Sequence, residues 1–154
     1  MKKIASFTID HTVLPKGMYI SRIDGDCVTY DIRTKRPNKE PVMANGAIHT
    51  VEHLFATFVR NSDIADSVIY FGPMGCRTGF YFITRDSVPS EKAVEITKEA
   101  FAFCLSFEGE IPGASEKECG NWRDHDLEGA KQIAADMIKV LDGWTNEKLG
   151  YPTK

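Results

Sequence analysis

Apolar and polar residues recur along this chain at two spacings, and each spacing predicts its own kind of element. From Cys27 to Arg33, Val28, Tyr30 and Ile32 point one way and Thr29, Asp31 and Arg33 the other, as in a half-buried strand. Residues 4–9 and 18–23 also read as strands, and the Asp24-Gly25 turn makes 18–23 and 27–33 a hairpin. The period then lengthens. Over about 47–61, Ile48, Val51, Phe55, Phe58 and Val59 recur every three or four residues, which predicts a helix with one buried stripe. A segment with two prolines and two asparagines, 34–45, delivers the chain to that helix. Short strands at 67–71 and 79–84 flank the tight loop Gly72-Pro73-Met74-Gly75-Cys76. Helices are predicted again over 91–107, with Val94, Ala100, Phe101, Cys104 and Leu105 as its stripe, and over 126–142, with Leu127, Ala130, Ile133, Ala134, Met137, Ile138 and Leu141. Between them, 109–124 is irregular.

Strands joined by hairpin turns, with helices interspersed, predict an α+β fold in which an antiparallel sheet is covered by helices. No repeat or linker divides the chain, so residues 1–154 are expected to form one domain. A chain of 154 residues buries enough surface to fold without staples. Its net charge of -3 gives no attraction to nucleic acid. The basic run Arg33-Thr34-Lys35-Arg36 reads as a solvated loop, with Arg33 set aside for the chemistry below. The N-terminus lacks the apolar stretch of a signal peptide, and nowhere do 18 apolar residues run together. A cytoplasmic protein with reduced cysteines and no membrane contact is therefore expected. That leaves Cys27, Cys76, Cys104 and Cys119 as thiols.

The chemistry concentrates in His49-Thr50-Val51-Glu52-His53. On a helix His49 and His53 lie one turn apart on one face, with Glu52 beside them, so two imidazoles and a carboxylate converge. Such a pair binds a divalent metal, and the glutamate carries protons for whatever the metal polarises. The bland alternative is a helix with two surface histidines. A third ligand is required, and Cys119, beside Gly120, suits Zn or Fe, although a cysteine is often only a small buried hydrophobe. Cys76 sits in a glycine-bracketed loop before Arg77, a setting for a reactive thiolate or for a structural turn residue. Cys104 lies on an apolar helix face and reads as core; Cys27 has no evident partner. His125, near a helix start, reads as a local hydrogen-bonding residue. On the motif alone, a peptidase of the inverted-zincin type, a metal-binding module and a catalytically silent relative all stay open.

Four motifs in order narrow this. Ser6-Phe7-Thr8-Ile9-Asp10-His11-Thr12, His49-Thr50-Val51-Glu52-His53-Leu54, Gly72-Pro73-Met74-Gly75-Cys76-Arg77-Thr78-Gly79-Phe80 and Glu116-Lys117-Glu118-Cys119-Gly120, followed by Leu127-Glu128-Gly129-Ala130, resemble the S-ribosylhomocysteine lyases of the LuxS family. The resemblance implies that His49, His53 and Cys119 bind one divalent metal per subunit, Fe(II) in its most active form and Zn(II) as often isolated. It implies Glu52 and Cys76 as the acid/base pair. Ser6, His11, Arg33 and Arg60 match substrate-contacting positions, Arg60 near the homocysteine moiety. It further implies a homodimer with its sites at the interface, the N-terminal elements of one subunit completing the site of the other. The reaction implied is cleavage of S-ribosylhomocysteine to homocysteine and 4,5-dihydroxy-2,3-pentanedione, the autoinducer-2 precursor. Tyr70, Gly72 and Arg77 stand where the family commonly shows aspartate, serine and glutamine.

Overall fold

The alternating stretch from Cys27 to Arg33 forms an interior strand of a four-stranded antiparallel sheet. In the computed structural model, which describes residues 1–152, the strands are β1 (Gly17–Asp24), β2 (Cys27–Arg33), β3 (Val68–Pro73) and β4 (Gly79–Arg85). Their order is β1-β2-β4-β3, two hairpins joined through β2 and β4. The register pairs Asp31 with Tyr19 on one side and Tyr81 on the other, and Arg33 with Gly17 and Gly79.

Three helices complete the α+β architecture: α1 (Asn45–Arg60), α2 (Ser90–Ser106) and α3 (Leu127–Val140). α3 begins one residue later than its periodicity suggests because Asp126 caps it, its side chain accepting from Gly129 N at 2.9 Å. α1 packs on β3 and on both other helices. Of its predicted stripe, Ile48, Val51, Phe55 and Val59 are buried, with Leu54 beside them, while Phe58 is only partly buried. Phe55 stacks on Phe71 of β3 with ring centroids 3.8 Å apart and meets Phe82 and Phe101 edge-on. Val28, Tyr30 and Ile32 of β2 enter the same core, and this packing fixes the rotation of α1 that presents His49 and His53 on its flank. No described helix is long and apolar enough to cross a membrane.

Three expectations change. Residues 4–9 are not a strand; Ala5–Phe7 is a single-turn 3-10 helix, and Ile4 and Phe7 stay exposed. The free edge of β1 where such a strand would pair is met by the C-terminal tail, Ile20 N donating to Leu149 O at 2.8 Å. Leu105, assigned to the apolar stripe of α2, is 40% exposed, near the end of that helix. The polar side of β2 is not solvated at its C-terminal end: Asp31 and Arg33 are 1% and 3% exposed, and Thr34 is buried beside them. The basic run is thus a solvated loop only in part, because its first two residues turn inward.

Candidate active site

Two clusters border the N-terminal half of α1. In the first, His49 Nε2 lies 3.3 Å and His53 Nε2 3.9 Å from Cys119 Sγ. The opposite ring nitrogens are both engaged: His49 Nδ1 bonds the Asp124 carbonyl at 2.9 Å, and His53 Nδ1 bonds that of Pro112 at 2.7 Å. A carbonyl can only accept, so each Nδ1 carries the proton and each Nε2 turns its lone pair toward the sulfur. That is how imidazoles are oriented and tautomerised around a divalent ion. The irregular passage between α2 and α3 supplies both carbonyls as well as Cys119, and Gly113, at φ +72°, packs against the His53 ring.

His125 joins them. The side chains of His49, His53, Cys119 and His125 each bring a ligand atom within 4.8 Å of the others, so the donor set fits a divalent metal. The His125 ring stacks on His49 and bonds Thr50 Oγ1 through Nδ1 at 3.0 Å, while its Nε2 is buried without a protein partner among the described residues. Burial, followed by the neighbouring His49 and His53, lowers its pKa below the ordinary imidazole value and keeps it neutral. The expectation of local hydrogen bonding is therefore not met: the one bond that the ring makes reaches α1. The sequence signal lay in the Asp-His-Asp step before α3, but its partner Thr50 is 75 residues away.

The second cluster centres on Cys76. Its loop is tied by Arg77 N to Met74 O at 3.0 Å and Met74 N to Gly79 O at 2.9 Å, with Arg77 left-handed at φ +61°. The thiol is exposed and lies 3.0 Å from Thr78 Oγ1 and 4.0 Å from Arg33 Nη1. Arg33 is clamped by Asp31 through Nε at 3.1 Å and Nη2 at 2.7 Å, which aims its remaining nitrogen at Thr78 and Cys76. Burial pulls the Arg33 pKa down, but the bond to Asp31 and the charges around it raise it, so the guanidinium stays cationic. Ser6, His11, Arg33, Met74, Cys76 and Tyr81 line one cavity of about 400 Å³. Within one chain the structure thus gathers Ser6, His11, Arg33 and Cys76, four of the residues singled out in sequence.

Sequence neighbours of both clusters contact the first turn of α1, where Arg77 Nη1 donates to Asn45 Oδ1 at 3.4 Å and Asp126 N to Gly46 O at 3.2 Å. Glu52 is half-buried on α1, three residues after His49 and next to His53. Arg60 ends the same helix, about 10 Å beyond His53 at 1.5 Å per residue. Its guanidinium donates to the carbonyls of Val68 and Ile69 at 3.3 and 2.9 Å, and it does not line the Cys76 cavity. Tyr70 and Gly72 form one packed unit on β3: the Tyr70 hydroxyl occupies the space a Cβ at position 72 would need. Cys104 is fully buried, and burial pushes its pKa up to about 12, as a core residue requires. All four cysteines are free.

A family model described as S-ribosylhomocysteinase (LuxS) matches residues 4–148. A protein of Phocaeicola vulgatus named S-ribosylhomocysteine lyase is 50% identical over 160 aligned positions, covering 100% of this chain and 99% of its own length. Relatives of the same name from Clostridium beijerinckii and Borreliella burgdorferi are 50% and 46% identical, each alignment covering 99% of this chain and 99% and 100% of the relative.

Proposed function

This chain belongs to the S-ribosylhomocysteinase (LuxS) family, and from that premise we propose how its side chains divide the cleavage of S-ribosylhomocysteine. The reaction is that of a carbon-sulfur lyase, releasing homocysteine and 4,5-dihydroxy-2,3-pentanedione. Family membership sets aside the peptidase reading of the His-Glu-His motif. The observation that carries the assignment is the approach of the His49 and His53 Nε2 atoms to Cys119 Sγ.

The thioether of a ribosyl sugar has no reason to break until a carbonyl stands two carbons from the sulfur. The carbonyl must therefore travel from C1 to C2 and then to C3. In each shift one proton leaves the carbon that becomes the carbonyl and one is delivered to the carbon that ceases to be one, while a hydroxyl proton passes between their oxygens. With the ketone at C3, loss of the C4 proton expels the sulfur from C5, and the enol left behind takes a proton at C5 to become the diketone. A divalent ion held by His49, His53 and Cys119, Fe(II) or in its place Zn(II), supplies the Lewis acidity that makes these carbon-bound protons removable.

Cys76 and Glu52 are the groups that move them. Arg33, 4.0 Å from the sulfur, attracts negative charge on Cys76, and Thr78 Oγ1 at 3.0 Å limits where the sulfur points. Glu52, on the helix that carries both histidines, handles protons on the metal side of the sugar. Ser6 and His11 border the same cavity and bind the ribosyl hydroxyls, with Arg33 closing its floor. Arg60 meets the homocysteine end, for which it must release the two strand carbonyls it now holds. The assembly is a homodimer with the site at its interface: Ile4, Phe7 and Val13 are more than half exposed on the segment bordering the cavity, and a second copy packed there covers them. Free thiols suit the cytoplasm.

Metal-loaded protein incubated with S-ribosylhomocysteine should release one free thiol per substrate consumed and leave casein-type peptides intact. Absence of thiol release, or peptide cleavage, removes the assignment.

A further inference from the structure

Tyr151 lies beyond residues 4–148, the span that the family model matches. Its hydroxyl nevertheless donates to Asp31 Oδ2 at 2.7 Å, inside the network behind Cys76. The tail that carries it is held by several contacts. Ile20 N donates to Leu149 O at 2.8 Å, Leu149 is buried, and the Tyr151 ring stacks on Tyr19 with centroids 5.1 Å apart and planes 23° apart. Tyr19 is the β1 neighbour of Asp31, so the stack sets the phenol directly over the carboxylate.

We infer that Tyr151 is a positioning residue for Cys76: it fixes the Asp31 carboxylate that holds the Arg33 guanidinium against the sulfur. Asp31 is 1% exposed, and a carboxylate taken that far from water needs its oxygens covered by donors. Arg33 covers both oxygens with Nε and Nη2, and Tyr151 adds a third donor to Oδ2. Burial, then the charge and hydrogen bond of Asp31, raise the Tyr151 pKa, so the phenol keeps its proton and remains a donor across the neutral range. Without that O–H, part of Oδ2 is uncovered in a buried place. The carboxylate then turns or admits water, and the guanidinium bound to it in two places turns with it. The contact with Cys76 is the most sensitive to such a turn, because 4.0 Å is the far limit for an N–H donor to sulfur. The other charged or titratable groups around Cys76 are His11, across the cavity on the N-terminal segment, Tyr81, which lines the cavity from β4, and Arg77, the chain neighbour of Cys76; among the described residues none of them hydrogen-bonds Tyr151.

The inference rests on the proposed role of Cys76 in proton transfer, and the test separates the two. In the full-length, metal-loaded protein, Tyr151→Phe keeps the ring on Tyr19 and removes only the hydroxyl. We expect alkylation of Cys76 by iodoacetamide at neutral pH, followed on the peptide that carries it, to slow about three- to tenfold, the range for one lost hydrogen bond. kcat should fall in parallel with KM little changed, and the melting temperature should fall by less than in Tyr151→Ala. Tyr151→Ala should slow alkylation to the same degree and also lower the melting temperature. A tail that merely staples β1 predicts wild-type alkylation in Tyr151→Phe, so an unchanged or faster rate there overturns the inference. Alkylation needs no substrate, so the result stands even if thiol release from S-ribosylhomocysteine fails.

Discussion

The imidazole of His125 lies against that of His49, centroids 4.0 Å apart and planes 20° apart. The stack aims the buried Nε2 of His125 into the His49-His53-Cys119 cluster, where it has no other protein partner among the described residues.

His125→Ala should therefore weaken metal binding by about 10- to 100-fold while the fold survives, the size of effect expected for a group that supports or completes a metal site. Competition against a chelator of known affinity measures it. Affinity equal to the parent protein would take His125 out of the metal centre.

Cys119, half-buried, and Cys76, exposed, should respond differently to substitution. Cys119→Ala removes the sulfur that His49 and His53 face and should cost both metal and turnover. Cys76→Ala leaves that cluster intact and should retain metal while losing thiol release by about 100-fold or more, as for loss of a general acid/base. Metal analysis beside a thiol assay distinguishes them, and the reverse pattern would exchange the two roles.

Glu52→Gln is nearly isosteric but cannot take up a proton. It should bind S-ribosylhomocysteine with little change and release thiol about 100- to 10,000-fold more slowly. Titration calorimetry with a rapid-quench thiol assay reads both quantities. Thiol release at the parent rate would exclude Glu52 from the proton transfers.

Much of this arrangement is legible in the sequence because it is local. One helical turn joins His49 to His53, and a buried stripe fixes which way that turn faces; a two-residue alternation orients Arg33 and Asp31 together. What escapes the sequence comes from partners far along the chain. His125 reaches the metal cluster by stacking on a residue 76 positions earlier, and Tyr151 reaches Asp31 from 120 positions away. The misread strand at 4–9 fails for a related reason. Its apolar residues suit a strand, but strands form where a neighbour has a free edge, and at Ile20 the tail supplies the partner. The polar side of β2 misleads in the opposite sense, since Asp31 and Arg33 satisfy each other and can be buried as a pair.

Alkaline solution should destabilise the fold through two groups of the core. Burial pushes the pKa of Cys104 from 9.0, and that of Tyr19 from 10.0, up to about 12. Both values are raised on folding, so the unfolded chain releases these protons first. The stability they support is complete below the unfolded values and drains away as pH climbs from about 9 toward 12, by at most about 1.4 kcal/mol per pH unit for each group. Denaturant melts between about pH 8 and pH 11 should show this fall, and Cys104→Ala should show a shallower one over the first part of that range.

The passage between α2 and α3 has little regular structure of its own, yet it touches α1 repeatedly, and three of its contacts are Pro112 on His53, Asp124 on His49, and Cys119 between the two rings. All three are also the surroundings of the metal. An ion seated there is a rivet through two layers, binding a loop that would otherwise bear a large ordering entropy to the helix the core has already made rigid. An ion held by these residues would add to the hydrogen bonds that already fasten the passage to α1.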